Sequence, residues 1–200
     1  MKINRRHCLL GAASLAAASG QASTVAESSL QKLLQPPSGK TQAVIDSDTY
    51  NEIDDQYAVA YALLSPDRVA VEAVYAAPYL NDRSSSPADG MQKSFDEILR
   101  LMKFLGHDPA GRVFRGSARF MASAGAPVES AAARNLIARA LQPRQGPLYV
   151  LTLGCPVNVA SAILLEPKIK DRIVVVWLGG ACHSWPSARE FNLLQDPHAS

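Results

Sequence analysis

From Lys40 onward the chain alternates short, β-rich apolar runs with longer stretches whose apolar residues recur every three or four positions. That alternation admits few folds. Short apolar runs make strands, and three-to-four spacing makes one-faced helices. Strands are expected at 43–46, 69–75, 148–153 and 173–178, with helices at 53–64, 94–105, 130–141 and 157–165. Strands joined through helices pair in parallel. The expected architecture is therefore α/β: a Rossmann-like, mostly parallel central sheet flanked by helices, with its active site at the strand C-terminal ends. At 200 residues, 48% hydrophobic and 19% charged, the chain has material for one globular core. No internal repeat is visible.

Residues 1–22 read differently. Lys2, Arg5 and Arg6 precede an apolar run from Cys8 to Ala18, followed by small residues, which is the layout of a signal peptide. The apolar run is shorter than the roughly 20 residues needed to span a bilayer. The adjacent Arg5-Arg6 pair suggests twin-arginine export, although Cys8 stands where that signal usually carries an aromatic residue, so ordinary secretion remains the other route. Either route implies an exported protein, periplasmic or secreted, with no membrane attachment after leader cleavage. Residues 23–40, including Pro36-Pro37-Ser38-Gly39, read as a linker, and 41–200 as the domain. A formal net charge of +2 gives no basic field for nucleic acid, so the expected partner is a small molecule. Cys155 and Cys182 both follow strand-like runs, and two readings stand: buried free thiols, or a single bridge between neighbouring strand ends.

Asp46 and Asp48 stand at the end of the first apolar strand, and Glu52, Asp54 and Asp55 follow within one short turn. Carboxylates this crowded raise one another's pKa, so the cluster makes sense if a cation neutralises it or if it performs proton chemistry. Oxygen ligands favour a hard ion, calcium or magnesium. The plainer alternative is a helix-capping turn. It accounts for one or two acids and leaves Asp46 and Asp48 unexplained. Residues 81–90, rich in Ser, Asp and Pro, are expected to form a loop walling the same edge of the sheet.

The segment Val44-Ile45-Asp46-Ser47-Asp48-Thr49, followed by Asp54-Asp55-Gln56-Tyr57-Ala58, resembles the opening motif of the inosine-uridine-preferring nucleoside hydrolases. The family form is Asp-x-Asp-Pro-Gly-x-Asp-Asp. Here Thr49-Tyr50-Asn51-Glu52-Ile53 separates the second and third aspartates, two residues more, as in a divergent branch. The resemblance implies hydrolysis of the N-glycosidic bond of a ribonucleoside. Asp48 would bind Ca2+, with Mg2+ the second choice, and act as general base on water; Asp55 would be a further metal ligand. Asp54 would hold ribose hydroxyls, with Asp46 in support. The chemistry suits these groups, because the ion lowers the pKa of water and carboxylates stabilise an oxocarbenium-like centre.

Two further landmarks follow in order. Leu151-Thr152-Leu153-Gly154-Cys155-Pro156-Val157-Asn158-Val159-Ala160 is similar to the family's strand, Gly turn and Asn-Ile-Ala helix start, which implies a metal-ligating carbonyl at Leu153. Read alone, the segment is a strand-to-helix turn capped by Asn158. Trp177-Leu178-Gly179-Gly180 and Arg189-Glu190-Phe191-Asn192 resemble the Gly-Gly strand end and Glu-Phe-Asn segment, which places Glu190 and Asn192 on sugar hydroxyls. The family's ribose-contacting Asn aligns near Pro78, leaving Asn81 as its substitute. His183 and Trp185 are candidates for base protonation and stacking. The family's further calcium-binding Asp, and in some members a leaving-group His, come from beyond the position of Ser200, so the domain is expected to be incomplete at its C-terminus and its hold on calcium reduced. Homo-oligomers are common among relatives. Two rival readings use the same residues. One is a non-catalytic sugar- or nucleoside-binding protein on this scaffold. The other is a haloacid-dehalogenase-like phosphatase, with Asp46 as nucleophile and Thr152 as its hydroxyl. That phosphatase reading lacks a late acidic pair and leaves Asp54 and Asp55 without a role.

Overall fold

The strands read as near-continuous apolar runs because helices cover both faces of the central sheet. The computed structural model describes residue 31 and residues 34–200, so the expected leader over 1–22 lies outside the described residues. Within the unit Ser38–Ser200 the elements run β1 (Thr41–Ser47), α1 (Ile53–Leu63), β2 (Val69–Ala76), α2 (Pro87–Phe104), β3 (Val113–Arg115), α3 (Ala131–Ala140), β4 (Leu148–Thr152) and α4 (Val157–Leu165). A 3-10 turn (Pro167–Asp171), β5 (Ile173–Trp177) and α5 (Phe191–Gln195) complete the described chain. The sheet is parallel throughout, in the order β3-β2-β1-β4-β5. It is the α/β architecture that the alternation implies.

Successive residues of a strand face opposite ways, and the core divides accordingly. Ile45 and Val74 pack with Val59, Phe95, Ile98 and Met102 of α1 and α2 on one face. Val44, Tyr75 and Val150 pack with Leu136 and Val159 of α3 and α4 on the other. Each such side chain contributes roughly 1.5–3 kcal/mol by leaving water. Among the described residues no helix is long and apolar enough to cross a membrane.

The strand order places the site. The chain leaves β1 for β2 and β3 on one side, then crosses back to β4 and β5 on the other. The connections beyond β1 and β4 therefore diverge, opening a crevice outside the carboxyl ends of those two strands, where ligands bind in open α/β sheets.

At three places the structure adds to or narrows the local expectations. The 81–90 segment is not all loop: Ser86 caps α2, its side chain accepting from the Asp89 N–H at 3.1 Å, and Pro87 opens the first turn. Ser, Pro and Asp are cap chemistry there as much as loop chemistry, and the helix starts seven residues before the expected 94. β3 is only three residues long and α5 five, too short for a period to register in the sequence. Cys155 and Cys182 are both free, the first buried and the second exposed, so no bridge joins the two strand ends.

Candidate active site

β1 delivers Asp46 and Ser47 to its carboxyl end, and the chain turns immediately, the Asn51 N–H closing on the Asp48 carbonyl at 2.7 Å. Asp46 is fully buried. Its Oδ1 accepts from Asn158 Nδ2 at 2.8 Å, while Oδ2 has no partner. Burial pushes the Asp46 carboxyl up to about 7, against the Asn158 hydrogen bond and with help from the charge of Asp55. A buried acceptor without a donor is costly, and in a folded protein it calls for an explanation.

Asp48, 3% exposed, has an orphaned Oδ2 as well. Burial raises its pKa well above the ordinary carboxylate range, and the neighbouring Asp55 adds to the rise. Asp55 comes from the first turn of α1 and points back toward the strand end, where it accepts from the Ser47 hydroxyl at 2.7 Å. That hydroxyl also lies 2.6 Å from Thr49 Oγ1. Burial raises Asp55 too, opposed by the Ser47 hydrogen bond. Across the crevice Gly154 closes against Asp48, for a Cβ there would stand 2.5 Å from Oδ1. Of the five acids in the cluster, the fold buries Asp46, Asp48 and Asp55 and leaves Glu52 and Asp54 exposed. Asp54 lines an open cleft with Glu52, Gln56 and Arg83.

The remaining candidates divide into those near the acids and those committed elsewhere. Asn81 reaches the lengthened turn, its Nδ2 donating to Asn51 Oδ1 at 2.6 Å. Glu190 caps α5. Its Oε1 accepts from the Asn192 N–H at 2.8 Å, and its Oε2 from the N–H groups of Gly180 and Leu193, both at 2.9 Å. Asn192 is buried and donates Nδ2 to the carbonyls of Leu153 at 2.7 Å and Leu178 at 2.9 Å, so it ties the ends of β4 and β5 together. His183 and Trp185 stand exposed on the loop between β5 and α5.

The unpartnered side-chain atoms at these strand ends, Asp46 Oδ2, Asp48 Oδ2 and Thr152 Oγ1, are all oxygens, which suits a hard cation. Asp48 and Asp55 are the side chains that could hold one, and the Leu153 carbonyl keeps one lone pair beyond its bond to Asn192. The orphaned Oδ2 atoms of Asp46 and Asp48 are the observation that favours a cation over bare burial. Among the described residues no three acidic, His or Cys side chains converge in metal-holding geometry. This chain thus offers part of the roughly six to eight oxygens calcium takes, and water and substrate hydroxyls are fitting donors for the rest.

Two residues hold places that a reading of the sequence does not give them. Asn158 does not cap α4, whose N-cap is Pro156. Instead it is buried at the centre of the site. Besides Asp46, its Nδ2 reaches the Ala76 carbonyl at 3.3 Å, and its Oδ1 accepts from the Ser117 N–H at 2.7 Å and hydroxyl at 2.9 Å. A lone amide inside the apolar run Val157-Asn158-Val159-Ala160 is the signal that could have revealed it. Thr152, which the sequence marks only as the hydroxyl of the phosphatase reading, sits opposite Asp46 in the β1–β4 register with its own hydroxyl unpartnered.

A doubly wound parallel sheet that buries three carboxylates around the tip of its central strand defines an α/β protein with a polar crevice at its switch point, the place where ligands bind in such sheets. The family model described as inosine-uridine preferring nucleoside hydrolase matches residues 43–200, and the chain belongs to that family. Solved structures share the fold. A purine-preferring ribonucleoside hydrolase from Gardnerella vaginalis is 24% identical with a TM-score of 0.60, over 80% of this chain and 56% of that one. An inosine-uridine preferring nucleoside hydrolase from Bacillus anthracis is 18% identical with a TM-score of 0.55, over 80% and 59%. The type III effector XopQ, solved with adenosine diphosphate ribose, is 16% identical with a TM-score of 0.60, over 86% and 56%. The chain thus spans a little over half the length of these relatives. No curated protein matches it.

Proposed function

We propose that this chain forms the metal- and sugar-binding part of a nucleoside hydrolase that breaks the N-glycosidic bond of a ribonucleoside, releasing base and ribose. The observation that carries the reading is the pair of buried, unpartnered carboxylate oxygens on Asp46 and Asp48 at the switch point of the sheet. Family membership and the relatives' printed activities support it. The effector's ligand, adenosine diphosphate ribose, is likewise built on ribose.

In this reading Asp48 accepts the proton of a water molecule as the water oxygen bonds to the anomeric carbon, while the bond from that carbon to the base nitrogen breaks; the base takes up a proton from solvent or from His183, and Asp48 then returns its proton to solvent. Asp54, exposed at the cleft, binds vicinal ribose hydroxyls, and Asp46 supports Asp48 from behind. Asp48, Asp55 and the Leu153 carbonyl would hold calcium, which when bound lowers the pKa of water and neutralises the acids around it. Burial suits the task, because desolvation raises the carboxylate's pKa and with it its strength as a base, while a bound cation would keep it ionised and ready to accept a proton. His183 and Trp185 lie on an exposed loop from which they would meet the base. The leader-like amino terminus adds the proposal that the protein acts outside the cytoplasm.

The test is base release from a panel of ribonucleosides with and without chelator, repeated for Asp48→Asn. Calcium-dependent release that falls at least about 10³-fold in Asp48→Asn, with an unchanged melting temperature, is expected for loss of a general base assisted by a cation. Undiminished release by the variant removes Asp48 from the mechanism. Binding without release leaves a sugar-binding protein.

A further inference from the structure

α1 is apolar on two sides. Val59, Ala62 and Leu63 fill the core beneath it, while Ile53, Tyr57, Tyr61 and the capping Leu64 stand 63–78% exposed and, at helical spacing, form one stripe. From Gln56 to Pro66 the sequence carries no charged residue. A helix at the surface of a monomer turns charge outward, as α2 does with Asp96, Arg100 and Lys103. Apolar residues all round mark a helix covered on both sides.

The stripe continues onto α2. Phe104, 82% exposed, lines with Tyr57 a groove of about 230 Å³ to which Ile53, Ala60 and Leu101 also contribute. An aromatic side chain buries about 150–250 Å², so the three aromatics with Ile53 and Leu64 offer on the order of 600–800 Å², close to the roughly 800 Å² that each partner gives to a standard interface. Charges stand only at the ends of the stripe, Glu52 and Asp54 at one and Asp67 and Arg68 at the other, which is the apolar centre and polar rim of a protein interface. A lipid surface fits less well, because helices that lie on membranes carry Lys and Arg on their polar side, whereas α1 begins with Glu52, Asp54 and Asp55. Two-fold pairing sets a patch against its own image, and a stripe without charge along its centre has nothing to repel that image. The small side chains of Ala58 and Ala60, half-buried beside the two tyrosines, leave room for a partner's rings.

We propose that the outer face of α1, together with Phe104 of α2, is a homodimer interface on which a second copy of this chain packs across a two-fold axis. The proposal is independent of nucleoside hydrolysis. Ile53 and Gln56 line both this groove and the cleft beside Asp54, so the second copy would border the mouth of that cleft.

The experiment measures the mass of the full chain by light scattering and by sedimentation over a range of concentrations, beside Tyr61→Arg, Phe104→Arg and Val176→Arg. The first two put a charge into the patch from different helices, at positions exposed enough for a folded monomer to accept it, and circular dichroism checks their folding. The third charges a separate exposed apolar position, on the edge strand β5. The unaltered protein is expected to be a dimer. Tyr61→Arg and Phe104→Arg should each raise its dissociation constant at least about 100-fold, and Val176→Arg should leave it within about threefold. Without any substitution, Tyr57 and Tyr61 should nitrate slowly in the dimer and quickly once diluted to monomer. A dimer that survives both patch variants, one that Val176→Arg disrupts, or equal nitration rates overturns the proposal. So does an unaltered protein that is monomeric at every concentration, whether its tyrosines react freely, are shielded by another part of the chain, or carry it onto phosphatidylcholine vesicles.

Discussion

Gly154→Ala is the sharpest perturbation of this site, because it adds one methyl group where the structure has no room for it. The new Cβ would stand 2.5 Å from Asp48 Oδ1, 2.9 Å from its Cγ and 3.2 Å from its backbone nitrogen. Comfortable nonbonded contacts begin near 3.5 Å, so the carboxylate or the β4–α4 turn must move by about 1 Å. Backbone conformation adds no penalty, since Gly154 is not among the glycines of positive φ. Where space allows, replacing such a glycine stabilises by about 0.4–1 kcal/mol through the unfolded chain. Overpacking should reverse that sign and cost about 1–3 kcal/mol, a drop of roughly 2–12 °C in Tm for a domain of this size. If Asp48 is the group that moves, kcat should fall about 100-fold. Gly125→Ala is the control, since nothing lies within 4 Å of its added Cβ and its φ is also not positive. Thermal melts and base-release rates for the two variants side by side decide the matter. A Gly154→Ala protein that melts no lower than the control, with its rate intact, would refute the claim that Asp48 and Gly154 are in contact.

Asn158→Ala should cost at least about 3 kcal/mol in urea unfolding, because it leaves Asp46 Oδ1, the Ala76 carbonyl and the Ser117 N–H buried without their partner; a loss under about 1 kcal/mol would show that these groups find water instead. Between the ordinary value of 3.8 and about 7, folded Asp46 keeps a proton that the unfolded chain has lost. Stability of the ion-free protein should therefore fall as pH rises through that window and level off above it, and Asp48 and Asp55 are shifted in the same direction. Urea midpoints in chelator should be higher at pH 5 than at pH 8, with calcium narrowing the gap, and a higher midpoint at pH 8 in chelator would contradict the raised values. Cys182 is exposed and its hydrogen bond to Ser184 lowers its pKa, whereas burial pushes the Cys155 thiol up. Mass mapping after brief treatment with a thiol reagent should find Cys182 modified in the folded protein and Cys155 only after unfolding, and early modification of Cys155 would place it at the surface.

The layout of the sheet was legible because it rests on signals spread over many residues: Val44, Ile45, Val74 and Val150 each fill a layer, and losing any one leaves the period intact. The acids were legible for a different reason, since carboxylates at the tip of an apolar strand have no plain structural use. What the sequence withheld is how polar groups are partnered across the fold. Glu190 and Asn192 look like free loop polars, yet every side-chain oxygen of the first is taken by backbone N–H groups and the amide of the second joins two strand ends. Asn158 reads as a cap and is instead bound to Asp46, 112 residues earlier. No local pattern encodes such a pairing, because it is created by the return of the chain from β3 to β4. The same return accounts for the partner that buried Asp46 does have, since it brings the start of α4, and with it Asn158, beside the tip of β1. The departure from the family motif follows the same rule: the longer turn carries Asn51, whose amide oxygen is bound by Asn81, 30 residues on, where the family form has Pro-Gly.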